Sequence, residues 1–212
     1  MIEVSILDYG AGNLENIFRA VKYVGARPRL VSNDKVNTNC SHMILPGVGA
    51  FGSAMQELKA RNLIDGILRH VLAGKPFLGI CLGMQLMLSS SEEFGDHIGL
   101  GLIDGRVKKI APQRTKGKRH KVPHAGWTPL LAYNEATWTY SILSDVAEGE
   151  SAYFVHSYIA EPSKAQDRLA YSELGKQKLC AAIARDNLIG VQFHPEKSGR
   201  TGLRILERFL AE

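Results

Sequence analysis

The sequence predicts an α/β fold: a mostly parallel central sheet flanked by helices, with an antiparallel extension. Three observations carry this reading. Short apolar runs of strand length stand at Ile2–Leu7, Met43–Leu45 and Phe77–Ile80. Stretches with helical apolar spacing lie between them. The later apolar runs, Ala152–Ile159, Leu179–Ile183 and Leu188–Phe193, are joined by hairpin-like connections rather than helices. Strands alternating with helices build parallel sheets covered on both faces, whereas hairpin connections join antiparallel neighbours.

Taken in order, Ile2–Leu7 supplies the first strand. Asn13–Val24 carries Leu14, Ile17, Phe18, Val21 and Val24 at helical spacing, and Asn13 is suited to cap that helix. Met43–Leu45 ends in Pro46-Gly47-Val48-Gly49, where two glycines let backbone N–H groups be aimed at a ligand. Phe51–Leu72 reads as helical through Met55, Leu58, Leu63, Ile67 and Val71. Pro76–Ile80 is a buried strand and Leu82–Leu88 the start of a helix, so Cys81 falls at the turn between them. From Ala111 to about Asp145 the chain is rich in Pro, Gly, Lys and Thr and reads as surface connection. No repeat or low-complexity segment interrupts this order, and 1–212 is expected to form a single domain.

Composition narrows the function classes. Hydrophobic residues at 45% and charged residues at 22% are ordinary for a soluble globular protein. No apolar run is long enough to cross a bilayer and no secretory leader pattern is present, so a cytoplasmic location is expected, with no membrane partner. Cys40, Cys81 and Cys180 are odd in number and lack paired spacing, which argues against a disulfide framework. Much of the +5 net charge comes from Arg114, Lys116, Lys118, Arg119 and Lys121, a solvated loop without the aromatics or motifs of a nucleic-acid site. His120 and His124 are four apart, but Pro123 between them breaks the helix a zinc pair would need. His42, His70 and His97 have no companions at ligand spacing. No metal or cofactor is expected.

The chemistry is carried by Gly79-Ile80-Cys81-Leu82-Gly83 together with His194-Pro195-Glu196. A strand-to-helix turn between glycines exposes a nucleophile, and a helix N-terminus favours thiolate over thiol. His194, at the end of an apolar run, is placed to take and return a proton, and Glu196 to fix its tautomer. Gln85 lies one helical turn beyond Cys81 on the same face, within reach of a substrate at the thiol.

These segments resemble the class I (triad) glutamine amidotransferases, whose elbow reads Gly-x-Cys-x-Gly-x-Gln and whose distal motif reads His-x-Glu. The resemblance implies a flavodoxin-like sheet and hydrolysis of L-glutamine through a Cys81 thioester, with an oxyanion hole made by the Gly49 and Leu82 N–H groups. It also implies that Gln85 and Glu93 hold the amino acid end of glutamine, with His156, Ser157 and Tyr158 along a neighbouring strand. The chain carries Gly-Val-Gly where other members have Gly-Gly-Pro. A cysteine peptidase or stress-response thiol protein of similar fold is the rival reading, and Gln85 and Gly-Val-Gly argue against it.

Asp8–Asn13, Pro46–Gly52, Val122–Trp127, Tyr153–Tyr158 and His194–Gly199 narrow the resemblance to the HisH branch, the glutaminase subunits of imidazole glycerol phosphate synthase. That likeness implies a heterodimer with a (βα)8-barrel HisF-like subunit that receives the ammonia, met through Asn13, Asn16, Trp127, Tyr153 and Lys197. Thr128 stands where many such chains have Asn, and Glu92–His97 with the basic loop also resembles paralogues that serve a sugar amidotransferase. Both acceptors stay open at this point.

Overall fold

The structure, a computed structural model, describes residues 1–33, 40–115 and 118–212. Of the basic cluster, Lys116 and the side chains of Lys118 and Arg119 lie outside the described part.

An eight-stranded sheet runs in the order Leu131–Ala132, Arg168–Leu174, Gln177–Arg185, Leu188–Val191, Phe77–Ile80, His42–Leu45, Glu3–Leu7, Arg27–Val31. The last five are mutually parallel. The first three join them antiparallel, which is the expected extension. Alternation along the strands divides two cores. Ile44, Leu78 and Ile189 face the helices Leu14–Tyr23 and Gly199–Leu210, whereas Met43, Phe77 and Leu188 face Phe51–Ala60 and Ile64–Leu72. Burial on both faces explains why these strands read as continuous apolar runs.

Several expectations are corrected. Phe51–Leu72 is two helices, Phe51–Ala60 and Ile64–Leu72. Asn62 takes a left-handed φ of 55°, and the Asn62 and Leu63 N–H groups donate to the Lys59 and Leu58 carbonyls, a Schellman stop that the unbroken apolar stripe hides. The helix after Cys81 ends at Leu86, and Leu88–Ser91 is already a strand. Ala152–Ile159 divides at Ser157: Ser151–His156 pairs with His124–Pro129, while Tyr158–Pro162 pairs with Ile103–Lys109 in a separate sheet. The supposed connection after Ala111 therefore contains a strand, His124–Pro129, as well as the helix Glu135–Thr139. Its Pro and Gly content concealed a strand that pairs with Ser151–His156 in a two-stranded sheet apart from the main one. Arg27–Val31 was not foreseen because it is an edge strand, mostly exposed and containing Pro28.

For the site, one register matters most. Ile80 pairs with Val191 across two parallel strands, and the next residues are Cys81 and Gln192, beyond the carboxyl ends of the central strands where such sheets bind ligands.

Candidate active site

Cys81 sits between the strand Phe77–Ile80 and the helix Leu82–Leu86 with φ 53° and ψ −108°. A non-glycine residue held there stores strain on the order of 1–3 kcal/mol. The packing around the elbow is tight: a Cβ on Gly83 would stand 1.8 Å from the Leu45 carbonyl oxygen. The Cys81 N–H donates to the Val191 carbonyl at 2.7 Å, fixing the elbow to the neighbouring strand. The helix is only five residues long, so direct partners of the sulfur outweigh the modest helix dipole the sequence suggested.

His194 and Glu196 follow the strand Leu188–Val191, which pairs with the strand that ends just before Cys81. The His194 Nδ1 lies 2.9 Å from Glu196 Oε1, and both side chains are almost wholly buried. A carboxylate can only accept, so Nδ1 carries the proton and Nε2 is left for the reaction. Nε2 makes no well-formed hydrogen bond and interacts with Cys81. Burial opposes the charged ring, but the hydrogen-bonding and charge of Cys81 and Glu196 more than offset it, and the imidazole is pushed up to about 9. The loop is braced by Ser198, whose hydroxyl donates to the His194 carbonyl at 2.6 Å and accepts the Tyr153 N–H at 3.0 Å.

A pocket of about 320 Å³ opens at the sulfur, lined by Val48, Gly49, Cys81, Leu82, Gln85, Glu93, Pro123 and Val155–Tyr158. That is small-molecule size. Glu93 Oε2 accepts the Phe51 N–H at 2.7 Å, capping the Phe51–Ala60 helix and leaving its other oxygen for a ligand. Gln85 Nε2 donates to the Tyr158 carbonyl at 3.0 Å and to Gln192 Oε1 at 2.9 Å. His156, Ser157 and Tyr158 straddle the point where the chain changes sheets, so the pocket opens at that break. A larger cavity of about 610 Å³ lies beside the Phe51–Ala60 helix, lined in part by Met55, Lys59 and His97. None of its lining residues is a buried titratable group, and it shares no lining residue with the pocket at Cys81.

Of the two N–H groups expected to form the oxyanion hole, the Leu82 N–H is 3.4 Å from the Gly47 carbonyl. Gly49 has φ 107°, a conformation that favours glycine. Beneath this loop Tyr9 is fully buried and its hydroxyl donates to the Pro46 carbonyl at 2.7 Å. A Cβ on Gly47 would stand 2.4 Å from that hydroxyl.

The residues expected at a partner face divide into two groups. Trp127 is 58% exposed and packs edge-on to Tyr153 at 6.2 Å between ring centroids, with the Lys197 ammonium 6.0 Å from the Tyr153 ring. Asn13 caps its helix by accepting the Asn16 N–H at 3.4 Å and is also exposed.

Sequence reasoning missed two residues at the site. Gln192 is fully buried and its Nε2 donates to the Cys81 sulfur at 3.6 Å. A polar residue ending an apolar strand, directly before His194, was the available signal. His124, considered only as a metal ligand, is buried with Nδ1 2.9 Å from His156 Nε2. Among the described residues no cluster of metal-ligating side chains is present. Cys40 and Cys180 are buried away from the pocket, and burial pushes the Cys180 thiol up to about 12.

Comparison with known proteins identifies the family. The profile of the family described as "Glutamine amidotransferase class-I" matches residues 5–212. The chain is 47% identical over 211 residues to "Imidazole glycerol phosphate synthase subunit HisH 1" of Legionella pneumophila (strain Lens), covering 99% of each. It is 42% identical over 205 residues to "Imidazole glycerol phosphate synthase subunit HisH" of Aquifex aeolicus (strain VF5), covering 96% of this chain and 94% of that one. Among solved structures, a chain of PurLQS from Thermotoga maritima superposes with a TM-score of 0.73 at 18% identity, over 99% of this chain and 98% of that one. The last match bears on the fold alone. The chain belongs to the class-I glutamine amidotransferases and, within them, to the HisH family of glutaminase subunits.

Proposed function

We propose that the chain, acting as a single glutaminase domain, hydrolyses L-glutamine and delivers ammonia to a (βα)8-barrel HisF-like partner that makes imidazole glycerol phosphate. The observation that carries this reading is that Cys81, which interacts with the Glu196-bound His194, lines one pocket together with Gln85 and Glu93.

Glutamine enters with its α-ammonium towards the free oxygen of Glu93 and its side-chain amide at the sulfur. The thiolate attacks the carboxamide carbon, and the carbonyl electrons move to an oxyanion held by the Leu82 and Gly49 N–H groups. The C–N bond breaks as the His194 imidazolium gives its Nε2 proton to the departing nitrogen. The neutral ring then takes a proton from water, which attacks the thioester, and glutamate leaves as the thiolate is restored. Glu196 keeps the ring in the Nδ1–H tautomer throughout and stabilises its charged form. The cluster of exposed Trp127 and Lys197 with half-buried Tyr153 supports a partner surface continuous with the active-site loop, because Tyr153 and His194 share the Ser198 hydroxyl.

The test combines the purified chain with a HisF cyclase and its acceptor, then measures glutamate release and the aminated product. Coupled formation of both is expected. Glutamate release that appears only with a nucleotide-sugar amidotransferase, and never with the cyclase, would reassign the acceptor. No glutamate under either condition would overturn the glutaminase reading.

A further inference from the structure

The register that pairs Ile80 with Val191 sets Gln192 alongside Cys81, and Gln192 is fully buried. Its amide orientation follows from the neighbouring groups. The Tyr158 carbonyl can only accept, so the Gln85 group 3.0 Å away is its NH₂. The second proton of that NH₂ goes to Gln192 2.9 Å away, which must therefore present oxygen. Gln192 then turns its own NH₂ to the Cys81 sulfur at 3.6 Å. Both N–H protons of Gln85 are thereby used, and the Gln85 oxygen is the group left for the pocket.

We propose that Gln192 is a catalytic residue: its side-chain N–H stabilises the Cys81 thiolate, and its oxygen locks the Gln85 amide with the acceptor towards substrate. The inference rests on the glutaminase reading and deepens it. When the thiolate attacks, the C–S bond forms and the sulfur loses its negative charge. When water adds to the thioester and the tetrahedral adduct collapses, the C–S bond breaks and its electron pair returns to sulfur. The imidazolium and the Gln192 N–H both face that returning charge, so the hydrogen bond helps the thiolate to leave. A hydrogen bond to a charged acceptor is worth more than one between neutral groups, and the water-free setting strengthens it further.

The experiment follows Cys81 alkylation by iodoacetamide against pH, with mass spectrometry to locate the label, in the wild type, Gln192→Met and Gln192→Glu. Met keeps the volume without a donor, and Glu keeps the shape while placing a carboxylate at the sulfur. The midpoint of the alkylation profile is expected to rise by about one pH unit in Gln192→Met and further in Gln192→Glu. Glutaminase kcat of the partner complex is expected to fall by about 10- to 100-fold. Gln192→Asn, one methylene too short to span both contacts, is not expected to restore either quantity. An unmoved midpoint overturns the proposal whatever happens to turnover. If neither shape-matched variant folds by thermal unfolding, Gln85→Met releases the Gln192 oxygen from its partner. A smaller upward shift is then expected, and none overturns the proposal. The glutaminase reading itself fails separately, if the wild-type complex releases no glutamate.

Discussion

His124 Nδ1 lies 2.9 Å from His156 Nε2, and the remaining contacts of the two rings decide where every proton sits. His156 Nδ1 is 2.9 Å from the Tyr158 carbonyl, so it must be the donor. The neutral His156 therefore accepts at Nε2, His124 donates from Nδ1, and His124 Nε2 accepts from the Thr128 hydroxyl 2.9 Å away. One chain of hydrogen bonds thus joins the Trp127-bearing strand to the wall of the pocket at Cys81. Thr128 is the terminal donor.

Thr128→Val keeps the shape and removes that donor. Stability is expected to fall by about 1–3 kcal/mol, the cost of leaving a buried acceptor unpaired, read from urea unfolding at pH 8. A variant as stable as the wild type would show that His124 finds another donor.

The same pair confers acid sensitivity. Burial first, with the nearby His124 and His194, pushes His156 down to about 3 from its ordinary 6.5. Between those values the unfolded chain binds a proton that the folded chain excludes, so the stability contribution is full above about 6.5 and is lost as pH falls towards 3. Unfolding midpoints measured from pH 7 to pH 4 are expected to drop less steeply in His156→Gln than in the wild type. Parallel slopes would contradict the assignment.

At the nucleophile, Cys81→Ala is expected to abolish glutamine hydrolysis while leaving the fold and partner binding intact, since it removes only the sulfur. A diazo-ketone glutamine analogue should label Cys81 and spare the buried Cys40 and Cys180. Label on either of those two cysteines, with Cys81 untouched, would be the contrary result.

For the base, His194→Ala is expected to lower glutaminase turnover by about 10²- to 10⁴-fold, and Glu196→Gln by less, because an orienting group can be partly replaced. Synthesis from exogenous ammonium should survive both. Because the His194 ring is pushed up to about 9, the imidazolium needed to protonate the departing amide nitrogen persists up to that pH and is lost above it. The rate should therefore fall on the alkaline side. Removing the Glu196 charge should move that limb to lower pH, and a limb that stays put in Glu196→Gln would exclude Glu196 as a cause. The linked stability has the same sign: it is present below about 6.5 and lost as pH rises through 9.

Control is expected at the oxyanion loop. The long contact from the Leu82 N–H to the Gly47 carbonyl must yield to the substrate oxyanion, and Gly49 at φ 107° permits the peptide rotation that brings in the second donor. The free subunit should hydrolyse glutamine slowly, and the acceptor-loaded partner should raise the rate by favouring the inward state. Pro at Gly49 could not adopt this φ, so Gly49→Ala is the better probe: a Cβ there meets no atom within 4 Å, and any effect reports backbone conformation. It should reduce stimulated glutaminase activity and spare the ammonia-dependent reaction. Equal rates for the free subunit and the loaded complex would sink this mechanism.

The sequence by itself determined the parallel sheet, because strands buried on both faces must be apolar throughout, and Phe77–Ile80 and Leu188–Val191 are. It also offered Cys81, His194 and Glu196 as the proposed triad, since an elbow with flanking glycines and a His two residues from a carboxylate are local patterns. Tertiary structure alone decided what depends on pairing between distant segments. The Ser157 break in an apolar run appears only once its two halves join different sheets. Gln192 reaches Cys81 only because parallel registry aligns Ile80 with Val191, and His124 meets His156 only through the antiparallel pairing of their strands. Local side-chain periodicity records which face a residue takes, but not which strand lies beside it. The chain's hydrogen-bond partners more than a hundred residues away therefore had to await the fold.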